Sequence, residues 1–342
     1  MNFRLNYKKE RVLKLLIEEY IKSARPVGSK YLARLKNLGL SPASVRNYFA
    51  EFEELGLVFQ PHPSAGRVPT DLGFRYYVNY LIKPHLLEEK WEPAVKSLFS
   101  QLDTSPETFM QQIPKVLSQL SHQIGILLRP WFEQVPLNDI YLLKLDFRRI
   151  LIIFIFEDQT VEHKILKNKY KLKPSDLHRL NNYLSRIARG KTLLELKALL
   201  LDELKSSSHQ NLEVLKLWKL SEDIAPEGAG LCIAGGSNLA SYPEFAGDKL
   251  KEVLRVLEDR KILIQLLDES LKCSGVRVVI GKEHPFPQMH SLAMITVNYF
   301  NKECKPIGSV GVIGPKRMDY ENIISLVNYI AQTISEKLRG AQ

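Results

Sequence analysis

Ser41, Ala43, Ser44, Arg46 and Asn47 lie together behind a Ser41-Pro42 pair, and their chemistry suits hydrogen bonding to nucleic-acid bases. An Arg side chain presents a planar fork that matches the two acceptors on a guanine edge, and an Asn amide pairs with adenine. Ser41-Pro42 is a strong helix start, because the hydroxyl caps a free backbone N–H and proline fits the first turn. On that helix Val45, Phe49, Phe52 and Leu55 share one face, which predicts packing against neighbouring helices. Ala43, Asn47 and Ala50 share the opposite face, with Ser44 and Arg46 at its flanks, and the two alanines let the backbone approach a partner surface closely. Glu51, Glu53 and Glu54 come later, where phosphates would repel them, so the amino-terminal half is the part expected to enter a groove. The plain alternative is a helix that is merely solvated on this face.

The neighbouring segments read as the frame for such a helix. Leu13, Leu16, Ile17 and Tyr20 repeat at i, i+3, i+4 and i+7, an amphipathic helix that must stop before Pro26. Val27-Gly28-Ser29 opens a short second helix through Leu35, and Gly39 closes it. Leu57-Val58-Phe59-Gln60 reads as a strand, Pro61 to Gly66 as a turn-rich tip, and Arg67-Val68 as the return strand. In that β-wing His62, Ser64 and Arg67 are the candidates to meet phosphates or a minor groove. Thr70 then caps a helix carrying Tyr76, Tyr77 and Tyr80, aromatics expected to pack on the next domain.

Elsewhere the sequence offers little chemistry. Ala234-Gly235-Gly236-Ser237-Asn238 lacks the Lys-Ser/Thr of a P-loop and the spacing of a dinucleotide fingerprint, and reads as a turn. The eight histidines include no metal-ligand pair at helical spacing; His284 and His290 share a loop without a carboxylate or thiol to complete a site. Lys316-Arg317, ahead of the last helix, either holds an anion at that helix start or forms a solvated turn. No catalytic residue, metal or cofactor is expected. The formal net charge is +10, and the first 82 residues hold 13 Lys/Arg against 7 Asp/Glu, so the basic surplus concentrates at the end that carries the candidate base-reading residues. Cys232, Cys273 and Cys304 are widely spaced and odd in number, which argues against a disulfide framework or a structural zinc. The longest apolar run, Ile150 to Phe156, is only strand length, and the expectation is a reduced, cytoplasmic chain with no membrane partner.

The motifs Pro26-Val27-Gly28-Ser29-Lys30, Leu40 to Asn47, Glu53-Glu54-Leu55-Gly56 and Gln60 to Asp71 together closely resemble the HrcA family of bacterial heat-inducible repressors of chaperone operons. Gly311-Val312-Ile313-Gly314-Pro315-Lys316-Arg317-Met318-Asp319-Tyr320 is similar to that family's carboxy-terminal signature. Tyr48 departs from it, since members usually carry an acidic residue after the Arg-Asn pair. The resemblance implies an α+β multidomain chain: a winged helix-turn-helix DNA-binding domain at 1–82, a GAF-like α/β sheet domain in two segments at 83–170 and 246–342, and an inserted helical dimerisation domain at 171–245. It further implies a homodimer on an inverted-repeat operator in double-stranded DNA upstream of chaperone operons. It implies as well that the chaperonin GroEL keeps such a repressor active and that heat stress releases it.

The remaining sequence is read for organisation. Lys83 to Pro106 reads as a linker with a short helix, Phe109 to Leu128 as a helix, and Ile140 to Leu145, Ile150 to Phe156 and Val161 to Leu166 as strands. Pro174 to Leu220 reads as mostly helical, with surplus apolar surface at Leu193, Leu194, Leu196, Leu199 and Leu200. Strands follow at Val276 to Ile280, Leu292 to Phe300 and Ile307 to Ile313, and a closing helix runs from Asp319 to Leu338. Two other functions compete with this one. A ligand-sensing regulator or enzyme working through the carboxy-terminal sheet needs a catalytic constellation, and an RNA binder needs exposed strand aromatics; Phe154 and Phe156 instead sit in an apolar run.

Overall fold

The computed structural model describes residues 3–35, 38–82, 88–100, 106–128, 135–157, 161–168, 172–206, 230–301 and 304–340. Contacts divide the chain into two compact units: Met1–Leu102 with Gln112–Leu127 and Ile233–Gln342, and Asp103–Gln111 with Leu128–Cys232.

The first unit begins with three helices, α1 (Tyr7–Ser23), α2 (Ser29–Arg34) and α3 (Pro42–Glu54), followed by a two-stranded hairpin of β1 (Val58–Phe59) and β2 (Val68–Pro69). Val12, Leu13, Leu16 and Ile17 of α1 are buried, and Asn6 caps its start by accepting from the Lys9 N–H at 3.0 Å. Ala24, in the left-handed region, ends α1 ahead of Pro26. The helix α4 (Asp71–Tyr76) follows at once and runs on as a π-helical turn, Tyr77–Leu81. Thr70 starts it, accepting from Gly73 N–H at 3.0 Å.

The body of this unit is a five-stranded sheet ordered β7-β3-β10-β9-β8, built from β3 (Ile124–Leu128), β7 (Leu231–Ala234), β8 (Val276–Ile280), β9 (Leu292–Phe300) and β10 (Pro306–Pro315). The β8–β9 and β9–β10 pairs are antiparallel. Eight successive residues of β9 are buried, so both of its faces are covered. Of the helices in this unit, α5 (Glu88–Ser100), α9 (Asp248–Glu258), α10 (Arg260–Leu271) and α11 (Tyr320–Gly340), the last two pack on β9 and β10. The polar groups buried between β9, β10 and α10 are paired: Asn298 Nδ2 donates to the Ser270 and Cys273 carbonyls at 3.0 and 2.9 Å, and Ser309 Oγ to Asn298 Oδ1 at 2.6 Å. The expected helix from 109 to 128 is two elements, α6 (Pro106–Ser121) and strand β3. His122 turns the chain between them at φ 55°, and Gly125 packs so closely that a Cβ there would lie 2.0 Å from the Pro114 carbonyl oxygen.

The second unit holds an antiparallel sheet β4-β5-β6, of β4 (Leu137–Lys144), β5 (Arg149–Phe156) and β6 (Val161–Lys167), with α7 (Pro174–Ala188) and α8 (Leu193–Ser206). Strand period decides what is inside. Ile140, Leu142, Ile150, Ile152, Phe154, Phe156 and Leu166 bury against Leu177, Leu180 and Leu184 of α7 and Leu193, Leu196 and Leu200 of α8. The edge strand β4 is closed by Asn181, whose amide accepts from Leu142 N–H at 2.7 Å and donates to Leu142 O at 3.0 Å. This grouping differs from the expected one. The strands between 137 and 167 share a core with α7 and α8 and form a sheet of their own, instead of joining the carboxy-terminal strands. The latter part of the expected helical stretch, 207–220, lies outside the described residues.

His284 follows a short 3-10 turn, Gly281–Glu283, and is buried with neither ring nitrogen hydrogen-bonded among the described residues. Burial holds its pKa down, at about 4 against 6.5 for a free imidazole. As pH falls below the free value the unfolded chain takes up a proton here that the folded chain refuses until near pH 4. Folding is therefore penalised progressively across that window, by about 3 kcal/mol in full. His284→Leu is expected to flatten the pH dependence of stability between those two values, measured as the urea midpoint at steps from pH 7 to 4; an unchanged slope would show that the ring contributes nothing there.

Candidate nucleic-acid interface

Helix α3 is placed by its apolar side. Val45, Phe49 and Phe52 are buried, which turns Pro42, Ala43, Arg46, Asn47 and Ala50 to the exterior. Ser41 Oγ accepts from the Ser44 N–H at 3.1 Å, and the two hydroxyls lie 2.9 Å apart. Ser41 and Ser44 therefore build the helix start, and the exposed polar groups left on this face are Arg46 and Asn47, whose side chains make no hydrogen bond or ion pair among the described residues. Tyr48 lies along the helix flank, stacked with Phe52 at 6.5 Å between ring centroids. Two of the three glutamates in the second half are already neutralised: Glu51 pairs with Lys9 of α1, and Glu53 with Arg67 at 2.9 Å.

The hairpin stands beside this helix. Val58 pairs with Pro69 and Phe59 with Val68. Gln60 Nε2 ties the tip by donating to the Pro63 and Ala65 carbonyls at 2.8 and 2.9 Å, leaving His62, Pro63 and Ser64 exposed. Gly66 passes so close to the turn before α2 that a Cβ would meet the Val27 carbonyl at 2.3 Å. Arg67 is placed otherwise than its sequence position suggested. Its backbone exchanges two 2.9 Å hydrogen bonds with Val27, its guanidinium is largely covered and paired with Glu53, and Nε is buried. It is a brace between hairpin, α3 and the turn before α2, and its charge is spent internally.

The other sequence candidates resolve as follows. Gly236–Ser241 is a 3-10 turn, and Asn238 Nδ2 donates to Ser118 Oγ and the Gln123 carbonyl, both at 2.9 Å, which makes it a structural tie. His290 Nε2 meets the His284 carbonyl oxygen at 3.2 Å. Lys316 and Arg317 are neither an anion site nor a solvated turn: Lys316 pairs with Asp71 and Arg317 with Glu244. Asp71, Arg75 and Glu244 were missed because nothing in local spacing announces a contact across 73 residues, as for Glu244, or more than two hundred, as for Asp71 and Arg75. Among the described residues no group of three or more His, Cys, Asp or Glu is placed to hold a metal, and no helix is long and apolar enough to cross a membrane.

These features define a protein of mixed helix and sheet with a capped helix whose polar face is turned outward. The chain belongs to the HrcA family: the family profile described as HrcA protein C terminal domain matches residues 107–324. A relative from Geobacter sulfurreducens, named heat-inducible transcription repressor HrcA, is 32% identical over 332 residues, covering 96% of this chain and 97% of the relative. One of the same name from Xanthomonas campestris pv. campestris is 33% identical over 332 residues, covering 94% and 93%. A crystal structure described as a hypothetical protein is similar with a TM-score of 0.62 at 25% identity, over 98% of this chain and 99% of that one.

The brace geometry makes a prediction about Arg67. Arg67→Ala strands Glu53 and loosens the hairpin, so it is expected to lower stability by about 1–3 kcal/mol. Because the guanidinium is already paired, the salt dependence of nucleic-acid binding should keep its slope, whereas loss of a phosphate contact would reduce that slope by about one. Denaturant titration and binding at several salt concentrations separate the two.

Proposed function

We propose that the chain is a transcription repressor of heat-shock genes that grips an inverted-repeat operator in double-stranded DNA through a winged helix-turn-helix formed by α1, α2, α3 and the hairpin. The observation that carries this reading is the outer face of α3: small at Ala43 and Ala50, polar at Arg46 and Asn47, and aimed outward at the capped end of the helix. In this reading Arg46 and Asn47 read base edges while His62 and Ser64 at the hairpin tip approach the backbone. The charge pattern agrees, since two of the three glutamates in the second half of α3 are absorbed by Lys9 and Arg67. A gel shift with DNA from upstream of chaperone operons tests it. Arg46→Ala should cost about 1–3 kcal/mol per half-site and relax preference at one base pair. Equal losses on operator and random DNA would rule out base reading by Arg46.

The release mechanism follows the same reading: heat depletes the folded repressor and the chaperonin GroEL restores it. Strand order favours a slow, rescue-dependent fold, because β3 and β7 are neighbours in one sheet with the larger segment of the second unit between them in sequence. Binding in the same gel shift should fall after mild heating and return only with chaperonin and ATP.

A homodimer would place two such helices on the two halves of the repeat. The five-stranded sheet and its helices then serve as the GAF-like domain and the second unit as the dimerisation domain. The leucines expected to supply the contact are mostly spent: Leu193, Leu196 and Leu200 lie in the unit's own core, and Leu199 is exposed. The surplus lies instead on the outer face of the three-stranded sheet. There Leu143, Leu151 and Ile165 stand in one cross-strand row, with Tyr141 and Ile153 in the next and Ile155 and Val161 in the third. Ile165 and Val161 are each 51% exposed. A largely apolar face of this kind, edged by His163 and Asp139, calls for a partner. Ile165→Glu should leave the unit folded, convert the chain to monomer in sedimentation equilibrium and weaken operator binding; a variant that stays dimeric with full affinity would exclude this face.

A further inference from the structure

Four charged residues that the DNA reading does not use meet on one side of the amino-terminal helices. Asp71, the first residue of α4, accepts from the Lys282 N–H at 3.0 Å and from Lys316 Nζ at 2.5 Å. Gly281 makes room for it, at φ 54°, where a Cβ would lie 2.2 Å from Asp71 Oδ2. One turn on, Arg75 binds the Glu283 carboxylate through two nitrogens, Nε at 2.7 Å, and reaches the Val278 carbonyl at 2.6 Å. Arg317 binds Glu244 through two nitrogens at 2.7 and 3.0 Å, donates to the Ile21 carbonyl near the end of α1 at 3.3 Å, and lies 5.0 Å from the Tyr242 ring. Within the ring of charges Phe74 and Tyr77 pack on the buried Tyr320, at 6.0 and 6.5 Å between centroids.

Isolated surface ion pairs contribute little. This set differs in three respects: the Arg contacts are two-pronged and planar, the partners sit on helices, strands and tight turns, and the pairs surround a buried aromatic contact. Two-pronged Arg–carboxylate pairs fix direction as well as distance. The ends of α1 and α4 are thus fastened to β8, to the turn after it and to the turn after β10. Beside the clamp a cleft of about 690 Å³, with Phe59 and Val68 on the hairpin side and Lys249 and Glu252 on the α9 side, leaves space into which an unclamped module would tilt.

We propose that Asp71, Arg75, Lys316 and Arg317 are positioning residues that hold the DNA-binding module in one orientation on the sheet body and so set the half-site spacing the repressor accepts. The inference rests on the operator-binding reading above. A second arm adds affinity only when geometry lets both engage, and a fixed arm is exacting about distance. The module's own base contacts are untouched by the clamp.

The test uses the full-length chain and three kinds of DNA from upstream of a chaperone operon: a single half-site, the full inverted repeat, and repeats with the spacer changed by one, two and five base pairs. For Asp71→Asn and Arg317→Gln, half-site binding should match the unsubstituted chain. Affinity for the full repeat should fall about tenfold, and the preference for the natural spacer should shrink toward none. Variants that keep the original spacer preference overturn the proposal. So do variants that bind the full repeat more tightly, since the clamp would then hold the arms out of register. If Arg317→Gln loses half-site binding through misfolding, Asp71→Asn, which keeps the size of the side chain and the helix start, decides by the same ratio. Failure of the unsubstituted chain to bind any repeat sinks the repressor reading itself and is a separate result.

Discussion

Val45, Phe49 and Phe52 fix the rotation of α3 about its axis, and the chemistry of the amino-terminal helices depends on that rotation. With those three side chains buried, each neighbour's direction is settled by the helical repeat, 100° per residue. A helix turned by one position would bury Arg46 and expose Phe49. The Ser41 cap sets where the helix begins, and the pair of Glu53 with Arg67 sets where the hairpin stands against it. One apolar contact and two polar ones therefore locate every group proposed to approach a base.

Charge is handled locally in this protein before it is offered to a partner. A basic amino-terminal region could attract a polyanion in many orientations. Here Lys9 and Arg67 are spent on the glutamates of α3, Lys316 on Asp71, and Arg317 on Glu244. The cations on the outer face of α3 reduce to Arg46. Long-range attraction then brings a polyanion near, and a small set of unspent groups decides how it sits.

The sequence made the amino-terminal quarter readable because its signals are local. The Ser41 and Thr70 caps, the Pro26 break and the apolar repeats of α1 and α3 each act within a few residues, and each element stands where those signals put it. Strands β3 and β7 were passed over for a physical reason. Ile-Gly-Ile-Leu-Leu and Leu-Cys-Ile-Ala are short and apolar throughout, so period cannot separate them from buried helix. The strands between 137 and 167 were recognised as strands but given the wrong neighbours, since alternation reports which face is buried and not what buries it. Arg67 misled for a related reason: an Arg at a hairpin base looks free until Glu53, on a different element, is brought beside it.

The Asn181 amide that closes the edge of β4 carries a further consequence. It occupies a single N–H and C=O pair on a strand whose outer face is already apolar. Asn181 belongs to α7, so the same helix that fills the inner face of the sheet also guards its edge. When α7 lifts, inner face and edge are uncovered in one step, and the strand becomes a template for another chain's strand. Loosening of this helix therefore opens a route to self-association through a bare edge and a bare face together.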